Sequence, residues 1–487
     1  MPSIIILVAL IFHYSQFGKE SARNIGMDSF FNPEGVAVIG SLSGPIGLGY
    51  VAIRNMQHLG FCGKVYPVNP SYSEVLGLKA YSSIEEITEP VDLAIVITPP
   101  PTIPAIVEQC ARQGVKAVLI VSENFAEAGE EGAQLQRQVV AIAQRNGIRV
   151  MGPNTIGLLN TANGFTTIPY LISYDSVRTG KIAYCSQSGI VGATGKPLED
   201  LAYPISKMCD IGNKCDVNEI DLLDYLTEDP ETGIVAIHLE DVKDGRKFID
   251  KAGRLVARKP LLVFKPGRSE AGARAMSSHT GSLSGNEQVY QSAFRQAGAI
   301  RVSTWREFWE IPKVFAYQPL PQGNRIAVLT LTGGAGVVAV DTAIDAGLTV
   351  ASLSATTSDW LASYAPRLAS NPVDMAPVLS VAENPLDFNE EAMAKVLDDV
   401  NVDCATIAAY AGQEAFTSII LAMFERLKRR ISKPVTVWVY GMQLSVIEEM
   451  SRQLEVMGFP TYFDIETAVK ALGVAAEYAS IQRNFAG

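Results

Sequence analysis

Short apolar runs rich in β-branched residues alternate along this chain with longer segments whose apolar positions recur at helical spacing. The alternation begins at Gly35 and is typical of parallel α/β units, in which helices cover the faces of a buried sheet. It divides into three blocks. In the first block we predict strands at 35–40, 64–69, 93–98, 116–122 and 148–152. The strand-bearing segments of the second block are 181–189, 233–240 and 260–267, and those of the third are 325–336, 404–410 and 434–440.

Segments rich in turn-forming residues separate these blocks at 161–170 and 317–324. We therefore predict an α/β protein of three doubly wound, parallel-sheet domains, spanning 27–160, 170–318 and 324–487. Each block starts with a buried strand, a turn of small residues and a helix. The carboxyl ends of the three first strands are accordingly predicted to form crevices suited to anions.

The first 26 residues do not share this alternation. Their apolar run, Ile4–Phe12, is too short to span a bilayer, and no Lys or Arg precedes it as a secretory signal requires. We interpret residues 1–26 as a non-native or disordered extension and expect the folded chain to begin at Met27. No membrane anchor is predicted.

Composition narrows the classes of function. A hydrophobic content of 48% over 487 residues is enough to give a core to each domain and excludes intrinsic disorder. The net charge of −11 lacks the basic footprint of a nucleic-acid-binding protein. Six cysteines without paired spacing and only four histidines indicate reduced thiols, a cytoplasmic location and no metal site.

The turn that follows the first predicted strand, Gly40–Gly49, is rich in glycine. Its glycines would let backbone N–H groups approach a pyrophosphate at the start of the next helix. Its spacing is not GxGxxG, and the second strand ends in Val68-Asn69-Pro70 with no acidic residue to bind a ribose. This disfavours a dinucleotide dehydrogenase and leaves two interpretations, a site for a phosphorylated nucleotide and a plain tight turn.

Two further segments carry candidate chemistry. Ser186–Gly189 follows a predicted strand and precedes a helical pattern, so its hydroxyls and amides favour a phosphate cradle, although Ser is also an ordinary helix N-cap. His279 lies in a segment rich in Ser, Thr and Gly, 275–285, that we predict to be a loop. An imidazole in such a setting favours nucleophilic or acid–base chemistry, and an exposed structural loop is the alternative.

An ordered set of motifs extends through all three blocks: VAVIG, VYPVNP, VDLAIVITPP, FAEAG, GPNTIG, SQSG, GNKCDV, LEDVKDGRKF, SSHTGSLSG, GGAG and NPVDM. In this order the motifs resemble the α subunit of ADP-forming acyl-CoA synthetases, within the succinyl-CoA synthetase superfamily. The resemblance covers the chain from Met27 onward. It implies a Rossmann-like domain that binds coenzyme A, followed by two succinyl-CoA-ligase-like domains of the flavodoxin type.

The resemblance also implies an activity. Acyl-CoA, ADP and phosphate would be interconverted with a carboxylic acid, CoA and ATP through an acyl phosphate and a phosphohistidine. His279 would carry the phosphoryl group and Glu240 would pair with its ring, with Asp241 as the alternative. The predicted phosphate-binding residues are Ser186, Gln187, Ser188 and Gly189, and the predicted coenzyme A contacts are Gly40, Ser41, Ser43, Gly47, Gly49, Asn69, Pro70, Thr98, Pro99 and Asn154.

Three segments depart from the family pattern. The loop Pro45–Gly49 lacks the Lys of the family's PGKxG, and Ser122–Phe125 has Glu-Asn where the family commonly has Ala-Gly. Thr155 stands in place of the Cys of GPNC. We expect these changes to bear on coenzyme A affinity and acyl specificity more than on phosphoryl transfer.

No block typical of an ATP-grasp domain follows the third block. The resemblance therefore implies an ATP-grasp β subunit, in an α2β2 hetero-oligomer, that would bind ADP or ATP with Mg²⁺. The expected small-molecule partners are coenzyme A or an acyl-CoA and a small carboxylic acid. Two alternatives remain open: a CoA- or acyl-CoA-binding regulatory or scaffold protein without turnover, and a stand-alone acyltransferase or thioesterase-like enzyme, for which no GxSxG motif is present.

Overall fold

The structure is a computed structural model that describes residues 26–168, 178–189, 204–280, 286–378 and 384–486, with the backbone alone at 178, 277–280 and 486. Residues 1–25 of the predicted extension lie outside the described residues, as does the end of the predicted linker at 169–170.

The first block forms a parallel sheet. Its strands are β1 (Gly35–Ile39), β2 (Lys64–Val68), β3 (Glu74–Val75), β4 (Leu78–Lys79), β5 (Leu93–Val96), β6 (Ala117–Ile120) and β7 (Arg149–Met151), and its helices are α1 (Leu48–His58), α2 (Ile103–Arg112) and α3 (Glu130–Arg145). Strands β3 and β4 form a separate hairpin. The other five strands are parallel in the order β2-β1-β5-β6-β7.

The second block forms the central sheet. Its strands are β8 (Leu158–Asn160), β9 (Phe165–Thr166), β10 (Arg178–Ser186), β11 (Pro204–Asp210), β12 (Ile234–His238), β13 (Leu261–Phe264) and β14 (Ile300–Val302), and its helices are α4 (Glu219–Glu228), α5 (Gly245–Val256), α6 (Glu270–Thr280), α7 (Glu287–Ala297), α8 (Trp305–Glu310) and α9 (Lys313–Tyr317). The strand order is β14-β13-β12-β10-β11-β8-β9.

The third block forms the last sheet. Its strands are β15 (Arg325–Thr330), β16 (Thr349–Val350), β17 (Val373–Asp374), β18 (Cys404–Ala411), β19 (Val435–Gly441) and β20 (Thr461–Tyr462), and its helices are α10 (Gly333–Asp345), α11 (Ala355–Ala362), α12 (Pro385–Asp398), α13 (Glu414–Lys428), α14 (Leu444–Met457) and α15 (Ile465–Ala486). The strand order is β16-β15-β18-β19-β20, with β17 paired to β15.

All three sheets share one arrangement. In each, the first parallel strand has later strands on both sides, so that β1 lies between β2 and β5, β10 between β11 and β12, and β15 between β16 and β18, each at a point where the strand order reverses. At such a switch point the connections leave in opposite directions and open a crevice beyond the carboxyl ends of the strands. The predicted α/β class with doubly wound sheets is therefore confirmed. The helix predicted to follow the Ser186–Gly189 turn lies outside the described residues.

Side chains alternate between the two faces of each sheet. On β1, Val36 and Val38 enter one apolar core and Ala37 and Ile39 enter another. Helices must cover both faces because both are apolar, which explains why the strands of this sequence are continuous apolar runs without polar alternation.

Two of the apolar cores extend across more than one sheet. The core that takes Val36 and Val38 also takes Ala183 and Cys185 from β10, and Ile182 on the opposite face of β10 packs into a core shared with β15. The central sheet is thus held by apolar contact to the first sheet on one side and to the third on the other.

The prediction of a linker over 161–170 was wrong in part. Segment 161–170 is not only a linker, because Phe165–Thr166 forms strand β9 and pairs antiparallel with β8. Strand β8 in turn pairs antiparallel with β11, so that the central sheet is mixed and includes residues assigned to the first domain. Phe165 and Thr166 are fully buried, and pairing satisfies the backbone groups that accompany them.

A buried ion pair joins the second block to the third. The ammonium of Lys313 in α9 donates to the Glu455 carboxylate at 2.8 Å and to the carbonyl of Thr461 at 2.6 Å. The two side chains are 2% and 1% exposed, so their charges are removed from water and compensate each other.

Removing one member of this pair should destabilise the protein strongly. We expect Lys313→Met to lower the free energy of unfolding by about 3–5 kcal/mol, because Glu455 would be left charged and buried. The matched control is Arg137→Met, which breaks an exposed pair with Glu130 and should change stability by less than about 0.5 kcal/mol. Urea denaturation followed by tryptophan fluorescence measures both, and equal effects of the two changes would contradict this account.

Candidate active site

A cavity of about 870 Å³ lies where the carboxyl ends of the first and second sheets face each other. From the first sheet it is lined by Ser41, which follows β1, and by Thr98, which follows β5. From the second it is lined by Ser188 after β10 and Glu240 after β12. Both switch points therefore open into one space, which can bring a ligand of the first domain to groups of the second.

The Ser186–Gly189 turn is held by its neighbours on both sides. Ser186 is the register partner of Asp210 on β11 and of His238 on β12. Its hydroxyl lies 3.0 Å from Nδ1 of His238 and accepts a hydrogen bond from the N–H of Ser188 at 2.9 Å. The N–H of Gln187 donates to the carbonyl of His238 at 3.2 Å.

His238 is an uncharged imidazole in this setting. Its ring packs against Trp305 and Phe264, with centroids 4.8 and 5.5 Å away. Burial, helped by the charge of Lys265, lowers the pKa of His238 to about 3. The histidine therefore acts as a neutral support for Ser186, and it is one of the site-forming residues that the sequence analysis did not select.

Gln187 connects the turn to the end of β12. Its side-chain oxygen accepts from the N–H groups of Glu240 at 3.0 Å and of Asp241 at 3.3 Å, and its side-chain nitrogen donates to the Asp241 carboxylate at 2.9 Å. The same carboxylate lies 2.5 Å from the ammonium of Lys214. Burial opposes ionisation of Asp241, but Lys214 and Gln187 hold its pKa below the usual value.

These contacts separate the four predicted phosphate-binding residues into two pairs. The polar atoms of Ser186 and Gln187 described above bond within the protein, and Ser186 is fully buried. Gln187, Ser188 and Gly189 all line the cavity and are half-buried, but the side chain of Gln187 is bonded to Glu240 and Asp241. A Cβ atom at Gly189 would lie only 2.9 Å from Ile156, so glycine is required by close packing. Phosphate binding by this turn stays a prediction.

Asp210 adds a carboxyl group to the cavity wall. Its two oxygens accept from the N–H groups of Ile156 at 2.9 Å and Gly212 at 3.0 Å. Burial is the main cause that raises the pKa of Asp210 to about 6, with a smaller contribution from Glu240. The cavity therefore has a carboxyl group that is close to its protonation point near neutral pH, and an approaching anion would favour the protonated form.

Glu240 and His279 differ in how far the structure describes them. Glu240 is buried and lines the cavity beside the Ser186–Gly189 turn. Asp241, its alternative, has its carboxylate bonded to Lys214 and Gln187. His279 lies in helix α6, and its side chain lies outside the described residues. The pairing of His279 with Glu240 stays a prediction.

The prediction of a loop over 275–285 was wrong for its first part, because helix α6 continues to Thr280. Its sequence explains this, since Ala271, Ala273 and Ala275 are strong helix formers and Ser269 bonds to the N–H of Gly272 at the helix start. Residues 281–285 lie outside the described residues.

The Gly40–Gly49 turn is packed tightly against itself. Gly40 has a left-handed φ of 87°, and a Cβ atom there would lie 2.4 Å from the carbonyl of Ile97. The hydroxyl of Ser41 accepts from the N–H of Leu48, and the carbonyl of Ser41 accepts from the N–H groups of Gly49 and Tyr50. Several amides at the start of α1 are thus bonded inside the turn, and the glycines are required by its close packing.

Most of the predicted coenzyme A contacts face a cavity. A second cavity, of about 280 Å³, lies beside β1, β2 and β5 and is lined by Gly40, Asn69, Pro70, Thr98 and Pro99. Ser41, Thr98, Pro99 and Asn154 line the large cavity. Ser43, Gly47 and Gly49 line neither of these two cavities. Binding of coenzyme A by any of these residues stays a prediction.

Two departures from the family pattern lie at the large cavity. Asn124 adopts a left-handed φ of 69°, a conformation in which Asn replaces Gly at small cost. Thr155 is buried and its hydroxyl donates to the carbonyl of Asp210 at 2.5 Å. Both substitutions therefore fit the local backbone, and Asn124 adds a polar side chain to the wall.

Some cavity residues lie within the motifs FAEAG, GPNTIG and GNKCDV, which mark the family but do not assign these residues to a site, and others lie outside any motif. Their side chains meet only because neighbouring parallel strands end together, and the pairing of those strands cannot be read from a single sequence. The lining residues that the sequence analysis did not select as site residues include Glu123, Asn124, Glu127, Gln136, Thr155, Ile156, Asp210, Asn213, Lys214 and Lys243.

Three general features bear on the chemistry. The six cysteines are free thiols, and burial raises the pKa of Cys185 and of Cys215 to about 12, which disfavours their thiolates. Among the described residues, no three His, Cys, Asp or Glu side chains are grouped as metal ligands. In the same part of the chain, no helix has the length and apolar character needed to cross a membrane.

Comparison with known proteins identifies the family. Residues 34–161 match the CoA binding domain family, and residues 179–315 match the succinyl-CoA ligase like flavodoxin domain family. The chain is 37% identical to the α subunit of the ADP-forming acetate–CoA ligase II of Pyrococcus furiosus, over 94% of this chain and 98% of that subunit. The chain belongs to the family of ADP-forming acetate–CoA ligase α subunits. The resemblance inferred from the order of the motifs is thereby confirmed.

Other members of the family differ in length. The ADP-forming acetate–CoA ligase II of Archaeoglobus fulgidus is 36% identical over 92% of this chain, and the chain spans 66% of that relative. Among solved structures, the dinucleotide forming acetyl-coenzyme A synthetase 1 of Ca. Korarchaeum cryptofilum, in complex with phosphate and ADP, superposes with a TM-score of 0.83 at 30% identity. The match covers 95% of the present chain and 99% of the Korarchaeum chain.

The charge state of His238 can be measured directly. Because burial lowers its pKa to about 3, we expect the ring to stay neutral from pH 5 to pH 8, whereas the same histidine in urea-denatured protein should titrate near its ordinary value. NMR of the chain with ¹⁵N-labelled histidine, assigned with His238→Asn, checks this. A titration midpoint inside that range in the folded protein would contradict the neutral support role.

Proposed function

We propose that this chain is the α subunit of an ADP-forming acyl-CoA synthetase, and that the large cavity is where acyl-CoA meets phosphate. The observation that supports this most strongly is the cavity itself, since it joins the switch point of the matched CoA binding domain to the Ser186–Gly189 turn and Glu240 of the matched succinyl-CoA ligase like domain. A ligand whose nucleotide end lies at the first sheet could place its thioester in this space.

The proposed reaction has three reversible steps. A phosphate oxygen attacks the thioester carbonyl, the carbon–sulfur bond breaks, and the thiolate takes up a proton to give free CoA and an acyl phosphate. An imidazole nitrogen of His279 then attacks phosphorus, the bond between phosphorus and the bridging oxygen breaks, and the carboxylate leaves with that oxygen. Finally an oxygen of the ADP β-phosphate attacks the phosphoryl group, the nitrogen–phosphorus bond breaks, and ATP forms.

The residues of the second domain would divide the work of phosphoryl transfer. Ser188 and Gly189 would hold the phosphate, because both line the cavity, whereas the side chain of Gln187, which also lines it, is bonded to Glu240 and Asp241. Glu240 would pair with His279 and stabilise the positive charge that the ring acquires as it gains the phosphoryl group. Asp210 would limit repulsion of the incoming anion by taking up a proton, since its pKa is raised to about 6.

Coenzyme A would bind along the first domain. The 280 Å³ cavity beside Asn69, Pro70 and Pro99 would take the adenosine end, and the path past Ser41 and Thr98 leads into the large cavity. The amides of Gly47, Leu48 and Gly49 are bonded inside the turn, and the turn lacks a lysine, so we expect weaker contacts to the pyrophosphate than a complete PGKxG loop would give.

The nucleotide would be handled by a partner. We propose an ATP-grasp β subunit, in an α2β2 assembly, that binds ADP or ATP with Mg²⁺ and accepts the phosphoryl group from His279. The relative from Pyrococcus furiosus is itself described as a subunit α, which supports a division of the activity between chains. Mg²⁺ would supply charge compensation at the transferring phosphates when bound.

Covalent labelling tests the proposal. The full chain is incubated with acetyl-CoA and ³²P-phosphate without nucleotide, and the labelled peptide is mapped. We expect an acid-labile label on His279 and none on His279→Asn. Glu240→Gln keeps the side-chain shape but loses the charge, so labelling should slow by on the order of 10²–10⁴-fold.

The control for this experiment is His58→Asn, which changes an exposed histidine of the first domain outside both cavities and should label like the wild type. Equal labelling of His279→Asn and wild type would show that another residue carries the phosphoryl group. Tight binding of acetyl-CoA with no label on any variant would favour the regulatory or scaffold alternative.

A further inference from the structure

A buried lysine lies beside the segment that follows β12 and carries Glu240 and Asp241. Lys214 follows β11 in the turn that leads to α4, and its side chain is 0% exposed. Its ammonium donates to the carboxylate of Glu219 at 3.0 Å and to the carbonyl of Asp241 at 2.9 Å, and it lies 2.5 Å from the Asp241 carboxylate. Three ammonium protons thus have three acceptors, and two of the acceptors belong to one residue.

We propose that Lys214 is a positioning residue for phosphoryl transfer, which fixes Glu240 beside the Ser186–Gly189 turn through Asp241 and Gln187. The inference rests on the proposed function, because it assigns Lys214 to the same site. Lys214 touches neither the substrate nor the phosphoryl group in this account.

The contacts form a closed ring. Lys214 binds both the side chain and the carbonyl of Asp241, so that this residue can neither rotate nor shift without breaking an ionic contact. The Asp241 carboxylate accepts a hydrogen bond from the side-chain nitrogen of Gln187. The side-chain oxygen of Gln187 accepts hydrogen bonds from the N–H groups of Glu240 and Asp241. The backbone of Glu240 is therefore tied to the turn that we propose to hold phosphate.

The ring is anchored on rigid structure. Glu219 is the first residue of α4, whose N-terminus has a capping box formed by Asn218 and Asp221. Lys214 itself has a left-handed φ of 53°, an unfavourable conformation for a residue with a side chain. Its ammonium is buried against Glu219 and Asp241. The ammonium of Lys243 donates to the carbonyl of Lys214 at 3.2 Å and holds this turn from the cavity side.

We expect such a cluster to fix the position of a catalytic group more than to stabilise the fold. A buried ion pair contributes little to stability beyond an apolar replacement, whereas a shift of about 1 Å in a catalytic group can cost about 10²-fold in rate. The chain offers a matched comparison in Lys207, which is equally buried on β11 and donates to Asp229 at 2.7 Å, but which does not line the large cavity.

The test compares Lys214→Met with Lys207→Met in the full chain. We expect both to lower the melting temperature, because each leaves buried carboxylates without a cation. Lys214→Met should also slow nucleotide-free labelling from acetyl-CoA and ³²P-phosphate by about 10²-fold while changing the dissociation constant of coenzyme A by less than about twofold. Lys207→Met should leave both quantities near their wild-type values.

Two further variants make the test decisive. If Lys214 acts through Asp241, the double variant Lys214→Met/Asp241→Asn should label no more slowly than Lys214→Met alone, since residues that act in one ring have non-additive effects. If Lys214→Met does not fold, Lys214→Met/Glu219→Gln takes its place, because it removes one of the charges left unpaired.

Hydrogen exchange separates the failure of this inference from the failure of the proposed function. Faster exchange at the amides of Glu240 and Asp241 in Lys214→Met, but not in Lys207→Met, supports positioning even if no chain takes up label, in which case the proposed function alone fails. Wild-type labelling by Lys214→Met, or equal loss of labelling in both lysine variants, overturns the inference.

Discussion

The apolar core that the first and second sheets share is the constraint on which the site depends. Val36 and Val38 of β1 pack into the same core as Ala183 and Cys185 of β10, so the two central strands are held at a fixed distance and their carboxyl ends face one cavity. Each sheet alone has a crevice at its switch point, which is common among α/β folds. Only the shared core turns two crevices into one space where groups of both domains can act together.

Within that space, polar contacts determine which groups are available for chemistry. His238 supports Ser186, Gln187 spans from the turn to the end of β12, and Lys214 neutralises Asp241. Gln187 and Lys214 also line the cavity, but their polar atoms are bonded within the protein, and Ser188, Gly189 and Glu240 are the lining groups that we propose for chemistry. The pKa of the Asp210 carboxyl is raised to about 6 by burial, so this group can take up a proton readily if an anion approaches.

The sequence predicted the repeating plan well, because strands such as β1 are continuous apolar runs next to a glycine turn. It did not predict β9, since the two residues Phe165–Thr166 are too few to show a period. It also extended the loop around His279 into residues that form the end of α6, where polar residues obscured the preference of the alanines that precede them. The motif order identified Glu240 and the Ser186–Gly189 turn as candidates. Lys214 lies in the motif GNKCDV, which assigns it no role, and Asp210 and His238 lie outside the motifs. They join the site through strand pairing that places Ser186 between Asp210 and His238.

The central claim, that this chain converts acyl-CoA and phosphate into an acyl phosphate in the cavity between its first two domains, is tested most directly by isotope exchange. The chain is mixed with acetyl-CoA and radiolabelled free CoA, with no nucleotide present, and the entry of label into acetyl-CoA is followed with and without inorganic phosphate. Reversible formation of an acyl phosphate predicts exchange that requires phosphate. Exchange that proceeds equally without phosphate, or no exchange when acetyl-CoA and phosphate are both bound, would contradict the account.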